Sequence, residues 1–79
     1  MTSEQFDAAD ACFRDFDFGT TVIEAADGWE HDGRDPYLFR TIYLQHPTDP
    51  ARDSVRGYFA VTFAFANSPI ITGVDWDVY

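Results

Sequence analysis

The spacing of the apolar residues changes from helical to extended near residue 15. Three apolar residues near the start follow the i, i+3, i+7 spacing of one helical stripe: Phe6, Ala9 and Phe13. Thr2 and Gln5 have the spacing of a capping box, in which two side chains satisfy the first backbone N–H groups of a helix. This pattern predicts a helix over residues 2–14.

Four β-strands are expected after the helix, because apolar and polar residues then alternate with a period of two. The predicted strands cover residues 17–25, 37–46, 58–66 and 70–78. Two Asp-Gly pairs and a proline mark residues 26–36 as a polar loop. Asp49 is a candidate cap for a short helical turn that Gly57 would close.

These elements predict an α+β fold in a single domain of residues 1–79: one N-terminal helix packed on a four-stranded antiparallel β-sheet, connected as a meander. We expect the helix to cover the sheet face that carries Phe59, Phe63, Phe65, Val74 and Trp76. One helix cannot cover the other face as well. Strand 2 nevertheless has apolar residues on both of its sides. Tyr37, Phe39 and Tyr43 point to one side, and Leu38, Ile42 and Leu44 point to the other.

Whichever of these two sets points away from the helix forms an apolar patch. Such patches mark interaction sites in small proteins, so the open sheet face is a candidate for partner binding or for homodimerisation. The alternative is that the 26–36 loop folds over this face through Trp29.

The charge balance restricts the kind of partner. The chain has 5 basic residues, all arginine, against 14 acidic ones, which gives a net charge of −9. Such a field repels phosphate backbones and anionic lipid surfaces and attracts basic proteins. We therefore expect a basic protein or nucleoprotein complex as the partner, with no direct contact to nucleic acid or membrane. The alternative is that the acidity is a solubility or halophile trait without a binding role.

Other features of the composition indicate a folded cytoplasmic protein. An aromatic content of 18% argues against intrinsic disorder, and a single cysteine excludes an internal disulfide. No apolar run has the roughly 20 residues of a membrane span, and the start of the chain lacks the features of a secretory signal.

Candidate metal chemistry is weak. The motif Asp15-x-Asp17-x-Gly19 resembles the start of an EF-hand calcium loop, but Thr20 and Ala26 occupy the positions where that loop needs glycine and an acid. The acids of the 26–36 loop, together with His31, could hold Ca²⁺, although solvated acidic loops are much commoner. The sequence therefore predicts no cofactor.

Nucleophilic catalysis is also disfavoured. Cys12 has an acidic neighbourhood, which we expect to raise the pKa of its thiol. The sequence contains no nucleophile elbow, P-loop or dinucleotide-binding motif, so we expect no enzymatic activity.

The acidic residues favour a binding role based on charge mimicry. Asp15 and Asp17 alternate at the start of strand 1, and Asp75 and Asp77 alternate on one face at the end of strand 4. Duplex DNA presents one negative charge per ~1.7 Å of its axis, and carboxylates fixed on a sheet can imitate part of that array. Aromatic side chains beside them, namely Trp29, Tyr37, Trp76 and Tyr79, would supply binding anchors. The predicted partner-binding residues are Asp15, Asp17, Asp27, Trp29, Glu30, Asp32, Asp35, Asp75, Trp76, Asp77 and Tyr79.

In size, acidity and these acidic pairs, the chain resembles the small inhibitors encoded by phages and mobile elements, particularly anti-CRISPR and DNA-mimic proteins. The resemblance implies a stoichiometric inhibitor that occupies the DNA- or PAM-contacting surface of a host complex such as a CRISPR effector. The alternative function is a structural module that homodimerises through the open sheet face.

Overall fold

The chain folds as one helix followed by four strands in the computed structural model, which describes residues 2–26, 28–31, 36–46, 48–49, 51 and 54–79. The elements are helix α1 (Ser3–Asp15) and strands β1 (Val22–Ala25), β2 (Tyr37–Gln45), β3 (Ser54–Phe63) and β4 (Ile71–Val78). The strands neighbour one another in chain order, and each pair is antiparallel. The predicted α+β meander is therefore confirmed.

Both halves of the predicted capping box are present at the start of α1. The Thr2 hydroxyl accepts a hydrogen bond from the Gln5 backbone N–H at 3.2 Å, and the Gln5 side-chain oxygen accepts one from the Thr2 N–H at 2.9 Å. The Gln5 side chain is fully buried, and its amide nitrogen donates to the Ser68 carbonyl at 2.9 Å. This last bond ties the first turn of α1 to the turn between β3 and β4.

The apolar stripe of α1 packs on one face of the sheet, as its spacing predicts. Ala9 is fully buried, and the ring centre of Phe13 lies 5.1 Å from that of Phe59 on β3. This packing stabilises α1, because an isolated helix of 13 residues is marginal in water. Within the described residues, no helix combines the length and the apolar character that crossing a membrane requires.

Strand β1 is shorter than the sequence predicted, because a turn occupies the start of the expected strand. Gly19 has φ +71°, and its N–H donates to the Asp17 carboxylate at 2.8 Å. Phe16 and Phe18 both contact the Phe59 ring, with ring centres 5.2 Å and 5.5 Å away. The two phenylalanines are two residues apart, as in a strand, but the segment that holds them is a connection in which both rings pack on the core.

The turn predicted from Asp49 to Gly57 is confirmed only at its start, where the Asp49 carboxylate accepts a hydrogen bond from the Ala51 N–H at 3.1 Å. Residues 50, 52 and 53 lie outside the described residues. The prediction that the turn extends to Gly57 is wrong. Residues 54–57 pair instead with residues 42–45 of β2 in a continuous antiparallel register. Val55 is buried opposite Leu44, which is itself fully buried. Pairing with the apolar end of β2 therefore makes residues 54–57 a strand and prevents the turn from continuing to Gly57.

The other end of β3 also differs from the prediction. The register between β3 and β4 shifts between Thr62 and Phe63, and the chain then turns through Asn67, which has φ 69°. Phe65 therefore lies in the turn and is 65% exposed, so its predicted place in the core is wrong. Val74 lies on the predicted face, but it is on an edge strand and remains 41% exposed.

The sheet has a covered face and an open face, because residues paired across antiparallel strands point to the same side. The covered face packs against α1 and holds the fully buried residues Leu38, Ile42, Leu44, Phe59 and Val61. The opposite side, called the open face below, carries Tyr37, Phe39, Thr41, Tyr43, Arg56, Tyr58, Ala60, Thr62, Asp75 and Asp77. The prediction that β2 has apolar side chains on both faces is confirmed.

Trp29 contacts the covered face of the sheet. Its ring centre lies 6.1 Å from that of Phe59, and its indole N–H donates to the Asp10 carboxylate at 2.7 Å. The alternative in which Trp29 folds the loop over the open face is therefore wrong.

Candidate functional site

Of the acidic residues predicted to bind a partner, those that the structure describes lie in separate parts of the fold. Asp15 ends α1, and Asp17 lies in the turn that follows, so they do not alternate along a strand as predicted. Asp27, Asp32 and Asp35 lie outside the described residues. The predicted pair at the start of strand 1 is therefore wrong, and the acidic surface that the structure defines is on other strands.

Asp75 and Asp77 lie on the open face of the edge strand β4, as their spacing predicts. They pair with Ala60 and Tyr58 of β3, and both carboxylates are exposed. Same-face neighbours along a strand are about 6.6 Å apart, so the two residues form a short charged line.

Glu30 brings a third carboxylate to the opposite edge of the sheet. Its backbone N–H and carbonyl exchange two hydrogen bonds with Phe39, at 2.8 Å and 3.0 Å, in an isolated antiparallel bridge. One row across the sheet is therefore made of Glu30, Phe39, Ala60 and Asp75. With neighbouring strands about 4.8 Å apart, the backbones of the two acidic edges are about 14 Å apart.

Four aromatic residues between these edges line a shallow pocket. The ring centres of Tyr37 and Phe39 are 5.7 Å apart, and those of Tyr58 and Tyr79 are 6.0 Å apart. The pocket that these four residues line, called the aromatic pocket below, has a volume of about 290 Å³. Ala60 is only 2% exposed although it points to the open face, so its neighbours cover it.

A hydrogen bond joins the aromatic pocket to the acidic edge. The Tyr58 hydroxyl donates to an Asp75 carboxylate oxygen at 2.8 Å. This bond raises the pKa of Tyr58 to about 12, and partial desolvation and the charges of Asp75 and Asp77 act in the same direction. The phenol therefore keeps its proton, and donates this hydrogen bond, to a higher pH than an unperturbed tyrosine would.

Arg56 provides a positive charge beside the pocket. Its guanidinium carbon lies 5.2 Å from the ring centre of Tyr79, which is the geometry of a cation–π contact. The Tyr79 backbone N–H donates to the Arg56 carbonyl at 2.8 Å, so this residue is held against β3 although its side chain is 75% exposed.

The two tryptophans predicted as anchors lie on the covered face. Trp76 is half-buried, with its ring centre 5.2 Å from that of Phe18, and it points away from the neighbouring aspartates of β4. Among the predicted site residues that the structure describes, those on the open face are Glu30, Asp75, Asp77 and Tyr79, together with the predicted anchor Tyr37.

The prediction missed Tyr58, Phe39 and Arg56 as members of the site. A signal for Tyr58 was available, because it alternates with Phe59, a residue that the sequence already placed on the covered face. The sequence groups Phe39 with Tyr37 and Tyr43 on one side of strand 2 but does not indicate which side is open, so it does not assign Phe39 to the site.

The described residues offer little for covalent or metal chemistry. Burial and, to a smaller extent, the charge of Asp15 raise the pKa of the Cys12 thiol, in the direction that its neighbourhood predicted. A raised pKa leaves little thiolate at neutral pH, and the thiolate is the reactive form. Among the described residues, no group of three or more His, Cys, Asp or Glu side chains is placed to hold a metal ion. The open face instead offers aromatic area and carboxylate acceptors, which are groups suited to binding.

Comparison of the chain with protein-family models, with curated proteins and with solved structures finds no match. The functional argument therefore depends on the geometry of the open face.

Proposed function

We propose that the chain is a non-enzymatic acidic binding protein that docks its open face onto a basic, nucleic-acid-binding partner and thereby blocks it. The observation that carries this proposal is the aromatic pocket between two acidic edges of one sheet. Protein interfaces concentrate binding energy in aromatic anchors, and charges at their rim set orientation and association rate. The open face has this arrangement, and its rim is predominantly negative.

The sign of the charge supports a basic protein as the partner. With a net charge of −9, the chain repels phosphate groups and attracts surfaces rich in arginine and lysine. Nucleic-acid-binding proteins use such surfaces to hold phosphates, so an occupant of that surface excludes the nucleic acid. A CRISPR effector complex is a partner of this kind, in keeping with the resemblance of the chain to phage inhibitors.

Charge mimicry alone does not account for binding through this face. The β4 edge presents one carboxylate per about 6.6 Å of strand, whereas duplex DNA presents one charge per about 1.7 Å of its axis. The aromatic pocket must therefore supply a substantial part of the affinity, and the carboxylates mainly select a basic surface.

A competition assay tests the proposal. Labelled duplex DNA is bound to each of a panel of purified nucleic-acid-binding proteins, CRISPR effector complexes among them, and the chain is titrated in while fluorescence anisotropy is recorded. We expect one partner to release its DNA at an approximately equimolar amount of the chain. The effect should weaken in about 1 M salt, where the Debye length is about 3 Å.

Two charge-matched double variants identify the surface. Asp75→Asn with Asp77→Asn removes two charges from the open face, and Glu4→Gln with Asp7→Asn removes two exposed charges from α1. If each rim charge contributes about 0.7 kcal/mol, the first pair weakens inhibition about tenfold, while the second changes it little. Equal weakening by both pairs, or no DNA release from any partner, would overturn the proposal.

A homodimer through the same face is the second candidate function, and the exposed ring of Tyr79 favours it. Sedimentation at high micromolar concentration separates the two candidates. A dimer that Tyr79→Ser converts to a monomer would support homodimerisation, whereas a monomer throughout would exclude it.

A further inference from the structure

The aromatic pocket has the chemistry of a site for a cationic side chain. It is lined by four aromatic residues, Tyr37, Phe39, Tyr58 and Tyr79, and its volume of about 290 Å³ is sufficient for the end of one long side chain. The faces of aromatic rings carry negative electrostatic potential, so they attract a cation placed within about 6 Å of the ring centre.

Carboxylates beside the pocket strengthen its attraction for a cation. Asp75 accepts the hydrogen bond from the Tyr58 hydroxyl, and Asp77 lies next to it on the same face of β4. A cation that stacks on the rings therefore has an acceptor within reach of its N–H groups. An anionic group would meet the same carboxylates unfavourably.

The chain already uses its aromatic rings to hold guanidinium groups. On the covered face, the guanidinium carbon of Arg40 lies 4.8 Å from the ring centre of Phe13 and 5.1 Å from that of Trp29. At the margin of the aromatic pocket, Arg56 lies 5.2 Å from the ring centre of Tyr79. Aromatic rings on both sides of the sheet therefore already contact a guanidinium, and at the pocket this contact involves the Tyr79 ring.

We propose that the aromatic pocket binds the guanidinium of an arginine side chain from the basic partner. This inference rests on the proposed function, because it names the group of the partner that enters the open face. Arginine suits the site better than lysine, since a planar guanidinium stacks on rings, is weakly hydrated and forms paired hydrogen bonds with a carboxylate. Lysine offers a compact, strongly hydrated charge that gains less from the rings.

The test compares two peptides of equal length and charge, oligoarginine and oligolysine, titrated into the isotopically labelled chain and followed by NMR. We expect oligoarginine to bind about fivefold more tightly, as one good cation–π contact at an exposed site implies. The largest shifts should come from the aromatic pocket. Equal affinities, or shifts confined to α1, would overturn the inference.

Two single variants test whether the preference for arginine comes from the aromatic pocket or from any exposed aromatic ring. Tyr79→Leu removes a pocket ring that is 75% exposed, and Phe65→Leu removes a ring that is 65% exposed in the turn between β3 and β4. Tyr79→Leu should weaken oligoarginine binding more than oligolysine binding and so reduce the preference for oligoarginine, whereas Phe65→Leu should preserve the preference. An equal effect of the two substitutions would overturn the inference.

The two proposals fail in different ways. If the Asp75 and Asp77 variants weaken the DNA competition but the two peptides bind equally well, the open face is the docking surface and only the arginine pocket is wrong. If those variants leave the competition unchanged, the proposed function itself fails on this face.

Discussion

Replacing Phe59 or Phe65 by alanine tests where the core of this small domain lies. Phe59 is 0% exposed, whereas Phe65 is 65% exposed. The ring of Phe59 contacts four other rings at centre distances of 5.1 to 6.1 Å, namely those of Phe13, Phe16, Phe18 and Trp29. The sequence places both phenylalanines at the same parity of one strand, so the same substitution at the two positions is a matched comparison.

The expected effects differ by several kcal/mol. Truncating a buried phenylalanine to alanine costs about 3–5 kcal/mol, and the four ring contacts place Phe59 toward the upper end of that range. A domain of 79 residues has an unfolding free energy of about 4–12 kcal/mol, at roughly 0.05–0.15 kcal/mol per residue. Phe59→Ala therefore removes much or all of the stability. Phe65→Ala should change it by less than about 0.5 kcal/mol.

Urea unfolding followed by far-UV circular dichroism measures both effects. Because Phe59→Ala is expected to populate the unfolded state without denaturant, Phe59→Leu serves as a milder variant, with an expected loss of about 1–3 kcal/mol. If Phe65→Ala destabilises the chain as much as Phe59→Ala does, β3 does not end where the structure ends it, and the reasoning is refuted.

Three other perturbations test local features of the fold. Gly57→Ala should lower the unfolding free energy by about 1–3 kcal/mol, because the new Cβ would collide with the backbone carbonyl oxygen of Asp77; an unchanged urea midpoint would contradict this. Thr2→Ala removes the capping hydroxyl and should cost about 1 kcal/mol in the same assay, whereas Thr2→Ser, the control, should be nearly neutral. Burial raises the pKa of the Cys12 thiol, so a disulfide reagent near pH 8 should modify it more slowly in the native chain than in urea. Equal modification rates in the two conditions would show that the thiol is not protected.

The helix and the order of the strands could be predicted because local signals and packing agree there. Thr2 and Gln5 form the capping box that their spacing indicates, and Ala9 and Phe13 pack on the sheet. The alternation along β2 also matches its environment, since Leu38, Ile42 and Leu44 on the covered face are buried. Short connections between successive strands then favour antiparallel neighbours.

The ends of the strands could not be predicted because packing there overrides the local pattern. Phe16 and Phe18 alternate like strand residues, yet both lie in a connection that the Phe59 ring holds in place. Residues 54–57 have weak strand character by themselves and become strand because β2 offers a partner there. These effects depend on contacts between distant parts of the chain, which a single sequence does not display.

The candidate site was predicted in part for the same reason. The alternation of side chains along a strand predicts that Asp75 and Asp77 share one face, and they do, because β4 is regular over those residues. Glu30 joins this face only through its bridge to Phe39, which no periodicity in the loop indicates. Trp29 was expected among the binding residues, but its large apolar ring is used to complete the covered face.

Acidic residues on an edge strand also have a purely protective explanation, and the composition of the open face helps to judge it. Charges on edge strands discourage pairing with another chain, which would account for Asp75 and Asp77 without any partner. It would not account for the rings of Tyr37, Phe39 and Tyr79 beside them, because a face kept only for solubility gains nothing from exposed aromatic area. A second copy of the chain would cover the rings, but it would bring together two bodies that each carry a net charge of −9. A basic partner meets the rings and the carboxylates favourably at once, so both features of the open face favour the same class of partner.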